Sequence, residues 1–262
     1  MIHTTIQTID FHIKELDAMK KYPKELSYIG DIALLNKRKI SIVGSRNPNQ
    51  YTQQYTHLIA SELSKKGICI VSGAAMGVDA IAHSASTPSN TIAVAGTGLD
   101  IRYPTINQAL IKDIESNGLV LSQFKNNQGA TRYTFPLRNE LVVALSEALV
   151  VTQADLKSGT MRSVEYALKM EKPIYVLPQR VNDSEGTNEL LKNGLANCIY
   201  NLENFVDDIV GYKNDIKHTD QFLEYCKSNP TYDEAMAKYP QEVFEYELMA
   251  KINVENGLIF VK

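Results

Sequence analysis

The stretch Lys39-Ile40-Ser41-Ile42-Val43-Gly44-Ser45-Arg46 decides how this chain is read. A short, β-rich apolar run stops at Gly-Ser-Arg. A helix-like segment begins near Tyr51, once Asn47-Pro48 has extended the turn. A glycine, a hydroxyl and an obligate cation therefore stand where free backbone N–H groups can receive an anion, and Arg46 can add a bidentate, charge-assisted bond. The same residues also fit an ordinary strand-to-helix turn with a solvated arginine, so the neighbouring turns have to weigh in.

Those turns repeat the pattern. Between 39 and 178, β-branched runs at Ile40–Val43, Ile68–Ser72, Thr91–Val94, Val120–Ser122, Ala148–Val151 and Pro173–Val176 alternate with helical stretches at 50–66, 77–85, 106–117, 137–145 and 160–170. Serial βα units predict an α/β fold: a parallel sheet covered by helices on both faces, with ligands at the carboxyl ends of the strands. Gly186 to Leu191 reads as a capped helix leading to a last short strand near Cys198–Tyr200. Upstream, Ile13, Leu16, Met19, Leu26, Ile29, Ile32 and Leu35 recur every three or four residues, so 1–38 is expected to be a helical extension packed on the sheet edge. Downstream, 212–218 turns polar and suits a linker. Three short helices (219–228, 231–238, 241–251) and a hairpin about Asn256-Gly257 then predict a small winged-helix-like domain over 219–262. Its positions Phe222, Phe244, Leu248 and Ile252, at helical spacings, are expected to form its core.

Composition narrows the functional classes. With 262 residues, 44% apolar and 22% charged, the chain is that of a globular protein with one substantial core and a small appended domain. No apolar run reaches membrane-span length and Met1 to Glu15 has no signal-peptide core, so a cytoplasmic location is expected. Cys69, Cys198 and Cys226 are far apart and form no C-x-x-C pair, which argues against a disulfide framework or a thiolate zinc site. Net charge is −3, unevenly spread: up to Lys213 there are 22 Lys and Arg against 21 Asp and Glu, and beyond it 5 against 9. A nucleic-acid site must then be a local feature of the main domain, while the acidic tail favours protein contact over duplex DNA.

The remaining motifs differ in specificity. Ser72-Gly73-Ala74-Ala75-Met76-Gly77-Val78-Asp79 ends a strand with small residues that permit close backbone approach. Asp79 and His83 share a helical face, which suits either a metal or an internal hydrogen-bonded pair; without a third ligand the pair is the expectation. Gly96-Thr97-Gly98-Leu99-Asp100 has no third glycine and meets Tyr103-Pro104, so it reads as a loop lining a site, not a dinucleotide fingerprint. Lys157-Ser158-Gly159-Thr160 shares composition with a Walker motif but not its order, which disfavours ATP hydrolysis. Arg132-Tyr133-Thr134-Phe135-Pro136-Leu137-Arg138-Asn139 joins two arginines, two aromatics and an amide ahead of an apolar helix, the mixture that single-stranded nucleic acid requires. Its bland alternative is a hydrophobic staple made by Phe135 and Leu137.

Taken in order, Gly44-Ser45-Arg46, Val71-Ser72-Gly73, Gly77-Val78-Asp79-Ala80 with His83, Gly96-Thr97-Gly98-Leu99-Asp100, Phe135-Pro136-Leu137-Arg138-Asn139, Lys157-Ser158-Gly159-Thr160 and Gly186-Thr187-Asn188 resemble the DNA-processing protein A (DprA/Smf) family over about 39–195. The resemblance implies an extended Rossmann-like domain over 39–211 and a homodimer. It also implies single-stranded DNA binding and recombination mediation, with loading of a RecA-type recombinase in natural transformation and no catalytic turnover or cofactor. By the same resemblance Gly44, Ser45, Arg46 and Arg132 are main DNA contacts, with Phe135 and Asn139 facing bases. Gly73, Arg138, Lys157, Ser158, Gly159 and Thr160 complete the expected interface. Two departures stand out: Met76 occupies a place where relatives often have arginine, and Arg132 a place where they usually have lysine. The competing reading is a Rossmann-like enzyme that hydrolyses a nucleotide glycosidic bond. Its P-G-G-x-G-T-x-x-E motif is broken here, with Glu165 two places late and no preceding Pro-Gly-Gly. A mononucleotide-sensing module is a third.

Overall fold

The structure, a computed structural model, describes residues 3–211 and 221–261. The chain divides into two compact units, Met1–Val206 and Asp207–Lys262.

In the first unit nine strands form one sheet. They are β1 (His3–Thr8), β2 (Ser27–Gly30), β3 (Lys39–Val43), β4 (Cys69–Ser72), β5 (Thr91–Val94), β6 (Leu119–Ser122), β7 (Ala148–Val151), β8 (Ile174–Val176) and β9 (Asn197–Cys198). Their spatial order is β1-β2-β6-β5-β4-β3-β7-β8-β9. From β6 to β9 every pairing is parallel, whereas β1 pairs with β2, and β2 with β6, antiparallel. All five residues of β3 are buried, Ile40, Ile42 and Val43 by packing and the two polar ones with partners: Lys39 Nζ donates to Glu15 Oε1 at 2.8 Å and the Ser41 hydroxyl to the Val142 carbonyl at 2.7 Å.

The connecting helices are α1 (Gln50–Lys65), α2 (Val78–Ala85), α3 (Gln108–Asn117), α4 (Thr134–Ala144), α5 (Gly159–Lys169), α6 (Glu185–Lys192) and α7 (Leu202–Val210). Strand alternation distributes them over two faces. Val71, Val94, Leu121 and Val151 join Leu141, Val142, Val164 and Leu190 of α4, α5 and α6 in one core cluster. Ala93 and Val120, each one residue earlier along its strand, join Ile111 and Ile114 of α3 in another. Helix α1 begins where the Asn49 side chain accepts the backbone N–H of Thr52 at 2.7 Å, and buries Thr52, Thr56, Ile59, Ala60 and Leu63 at helical intervals.

The N-terminal segment corrects the expected helical extension. Residues 3–38 supply β1 and β2 to the sheet, with only two 3-10 turns, Lys14–Ala18 and Ile32–Asn36. Ile13, Leu16, Met19 and Leu35 are buried, but a recurrence of three fits a 3-10 turn as well as an α-helix. Ile29 lies on β2, whose backbone groups are satisfied by β6 in the register Ile29↔Val120. Helix α4 also starts three residues before its expected position, with Pro136 in its first turn, where a missing N–H leaves no hydrogen bond unmade.

The second unit contains α8 (Gln221–Cys226), α9 (Tyr232–Lys238), α10 (Pro240–Leu248) and the antiparallel hairpin β10 (Ile252–Glu255) and β11 (Leu258–Val261). Thr231 and Glu234 form a capping box on α9. The hairpin turns through Asn256 and Gly257, at φ 51° and 77°. Phe222, Cys226, Ala235, Val243, Ile252 and Ile259 make the core. Phe244 and Leu248, expected in that core, are exposed instead, because Val243 is the residue of α10 that turns inward. The linker expected at 212–218 and the first residues of the helix expected from 219 lie outside the described residues.

Candidate nucleic-acid interface

Strand β3 is the point where the sheet order reverses: the chain leaves it for β4 on one side and reaches β7 on the other. The loops after β3 and β7 separate there and open a crevice, the usual ligand position in such sheets. A cleft of about 390 Å³ lies at this point, lined by Gly44, Ser45 and Arg46 after β3, Phe135, Arg138 and Asn139 from α4, and Ser158, Gly159 and Thr160 at the start of α5. Three separate segments, the first and last more than a hundred residues apart in the chain, thus share one wall.

Local packing explains several of these residues. A side chain at Gly44 would come within 2.7 Å of Val78 Cγ2 and 3.1 Å of the Gln153 carbonyl oxygen, so only glycine lets the two loops close. The Thr160 hydroxyl donates to the Gly44 carbonyl at 3.0 Å, and Asn139 Nδ2 donates to the Gly159 carbonyl at 3.3 Å. The cleft walls are therefore tied to one another. Helix α5 aims its free N–H groups at the cleft. Its N-cap residue, Ser158, makes no side-chain cap, and the buried Ser158 hydroxyl has no hydrogen-bond partner among the described residues.

The two arginines at the cleft differ. Arg46 is exposed, and its guanidinium carbon lies 5.5 Å from the centre of the Phe135 ring. Arg138 is 5% exposed; its Nη1 donates to the carbonyls of Gly73 and, at 3.2 Å, Val94, while Nε donates to Asn139 Oδ1 at 3.0 Å. It ties together the ends of β4 and β5. Gly73 is glycine because the Arg138 guanidinium fills the place its side chain would occupy. Both residues thus build the floor of the site.

Asp79, buried beside them, accepts the backbone N–H of Gly73 at 3.2 Å and of Ala75 at 3.3 Å; burial pushes its carboxyl above the usual range, opposed by Arg138. The expected Asp79–His83 pair does not form. His83 Nδ1 meets the Thr91 hydroxyl at 2.7 Å, and burial, reinforced by Arg138, pushes its pKa down to about 3. Among the described residues no cluster of three or more His, Cys, Asp or Glu side chains could hold a metal.

Phe135 stands between the cleft and a smaller pocket that includes Met76, Gly96, Tyr103 and Pro104. Its ring rests on Gly96, where an added Cβ would lie 3.3 Å away, and is 6.0 Å from the ring of Tyr103. Tyr103 is half-exposed and extends the aromatic surface. In the sequence Tyr103-Pro104 reads only as a break after the glycine loop, although an aromatic shortly past a strand-end turn is a signal for a site-lining ring. Gly98 and Asp100 serve a different purpose, Asp100 Oδ2 accepting the Asn127 N–H at 2.8 Å to hold the neighbouring loop. Arg132 and Lys157 are exposed and lie outside the cleft lining, on its two flanking segments. Arg132 stacks on Tyr133, with its guanidinium carbon 4.7 Å from the ring centre. Asp155, also exposed and lining the cleft, is a carboxylate that no motif in the sequence marks.

Several known proteins resemble this chain in sequence and fold. DNA processing protein A from Helicobacter pylori, solved for its single-stranded DNA binding mode, superposes with a TM-score of 0.78 at 43% identity, covering 80% of this chain and 99% of that one. DprA from Streptococcus pneumoniae superposes with a TM-score of 0.70 at 29% identity, covering 77% of this chain and 73% of the other. DNA processing protein DprA of Bacillus subtilis is 32% identical over 205 residues, 76% of this chain and 68% of its own length. Protein Smf of Synechocystis is 39% identical over 159 residues, 59% of this chain and 40% of its own length. The match therefore spans well under the full length of some relatives. With residues 4–210 matching the family described as DNA recombination-mediator protein A, the chain belongs to that family.

Proposed function

We propose that this protein binds single-stranded DNA across the cleft at the β3/β7 reversal and acts as a recombination mediator without catalysing turnover. The observation that carries the reading is the convergence of Gly44–Arg46, Phe135–Asn139 and Ser158–Thr160 on one crevice. Backbone N–H groups of the turn after β3 and of the α5 N-terminus, with the Ser158 hydroxyl and Arg46, receive phosphate oxygens. Phe135 and Tyr103 offer faces on which bases stack, and Asn139 reaches a base edge or phosphate. Arg132 and Lys157 guide the strand on either side of the cleft, while Gly73 and Arg138 shape its floor. The protein acts as a homodimer that protects incoming DNA and assists loading of a RecA-type recombinase in natural transformation, as the family likeness suggests.

A glycosidic hydrolase at this site would need a suitably placed carboxylate. Glu165 does not line the cleft and instead pairs with Arg162 at 2.8 Å, and Asp79 is committed to backbone N–H groups, which leaves the exposed Asp155 as the carboxylate such an enzyme would have to use. The deciding experiment is equilibrium binding of an unstructured oligonucleotide beside a mononucleotide over a salt series. Oligonucleotide binding whose affinity falls linearly with log salt supports the proposal. Saturable mononucleotide binding with no gain for the polymer, or release of a free base, defeats it.

A further inference from the structure

Helix α10 carries an apolar stripe that its own unit leaves uncovered. Phe244, Leu248 and Met249 are 68%, 78% and 60% exposed, whereas Val243 is buried in the core. Counted from Gln241, the positions 244, 245, 248 and 249 fall at i+3, i+4, i+7 and i+8, so the three apolar side chains share one helix face with Glu245. A single exposed leucine is ordinary; three large apolar side chains in one stripe on nine residues of helix and its cap mark a contact surface.

The surrounding charge restricts the occupant. Glu242, Glu245 and Glu247 border the stripe, and no described cation pairs with any of them. The lysines of 221–261 are engaged elsewhere: Lys227 with Glu224 at 2.5 Å, Lys238 over the rings of Tyr225 and Tyr239, and Lys251 over the ring of Tyr246. This is the helix that precedes the hairpin, the position from which a winged helix would enter a DNA groove, yet its carboxylates would repel phosphate.

We propose that this face of α10 docks an amphipathic helix of another protein, one whose apolar seam is flanked by lysine or arginine. A second copy of the same face would set glutamates against glutamates, and charge complementarity therefore selects a basic partner. Nine residues of helix extend only about 13 Å, which gives a small contact of the transient class. The carboxylates steer and orient the partner, and the apolar stripe holds it.

The test uses the full chain and two synthetic helical peptides that share a leucine seam, one flanked by lysine and the other by glutamate. Calorimetric titration should show saturable binding of the lysine peptide that weakens with salt, and none of the glutamate peptide. The double variant Phe244→Ser/Leu248→Ser should bind the lysine peptide at least tenfold more weakly, with unchanged thermal unfolding and unchanged single-stranded DNA affinity. Glu242→Lys/Glu245→Lys should reverse the peptide preference. The proposal is overturned if the lysine peptide does not bind, if the serine variant binds it undiminished, or if both peptides bind equally. It is also overturned if sedimentation shows concentration-dependent self-association that the serine variant abolishes.

Discussion

The guanidinium of Arg46 lies over the ring of Phe135, 5.5 Å from its centre, although 88 positions separate the two residues in the chain. One provides charge and the other a flat apolar face at the same lip of the cleft, so they should fail in different ways when removed.

Arg46→Ala should weaken single-stranded DNA binding across sequences, because the guanidinium meets phosphate and not a base. The slope of log affinity against log salt should shrink in magnitude by roughly 0.7. An unchanged slope and affinity in a folded variant would remove Arg46 from the interface.

For Phe135→Ala the expected loss is about 1–3 kcal/mol of binding with little change in salt slope, as for a stacking residue. The ring is only half-buried and rests on Gly96 and Tyr103, so thermal stability should change little. A large fall in melting temperature with normal binding by the folded fraction would instead make Phe135 a staple of α4.

Arg138→Met should act on the fold. It strips the buried Gly73 and Val94 carbonyls of their donor and leaves Asp79 without the neighbouring cation, a loss of about 3–5 kcal/mol for breaking a buried charge arrangement. Chemical denaturation should register this loss, while the salt slope of any folded, DNA-binding fraction stays at its original value. A stable variant with a reduced slope would place Arg138 on phosphate.

Acid should weaken the fold through His83. Its folded pKa, about 3, lies below the value near 6.5 expected when unfolded, so from there down to about 3 the unfolded chain binds more protons. Stability then falls as pH falls, by up to ~1.4 kcal/mol for each pH unit below 6.5. Asp79, whose carboxyl is pushed up by burial, works in the opposite sense, so the informative quantity is the difference between the protein and His83→Gln. The variant should show a shallower loss in denaturant titrations between about pH 6 and pH 4; identical slopes would mean that His83 is not buried neutral.

Truncation after Lys213 should leave a folded sheet unit that binds single-stranded DNA, since every residue lining the cleft precedes position 164. A truncated protein that kept its fold and lost its DNA affinity would move the interface into the C-terminal unit.

The sequence alone determined the parallel part of the sheet. Strands buried on both faces must be nearly continuous apolar runs, and the ends of such runs coincide within a residue with β3 to β8. The Asn256-Gly257 hairpin was equally legible, because positive φ at both turn positions selects those residue types. The N-terminal strands were not, since an apolar recurrence of three to four residues does not distinguish an α-helix from 3-10 turns between strands, and only hydrogen bonding to β6 resolves it. Which face of α10 turns inward was likewise a matter of tertiary packing. At the cleft, the sequence supplied the residue types of each turn, while the fold decided their division of labour. Arg46 and Arg138 are the same residue beside similar turns, yet one is left in solvent and the other is enclosed between the ends of β4 and β5. Burial and the identity of the facing backbone are properties of contacts between distant segments, which no local pattern of residues records.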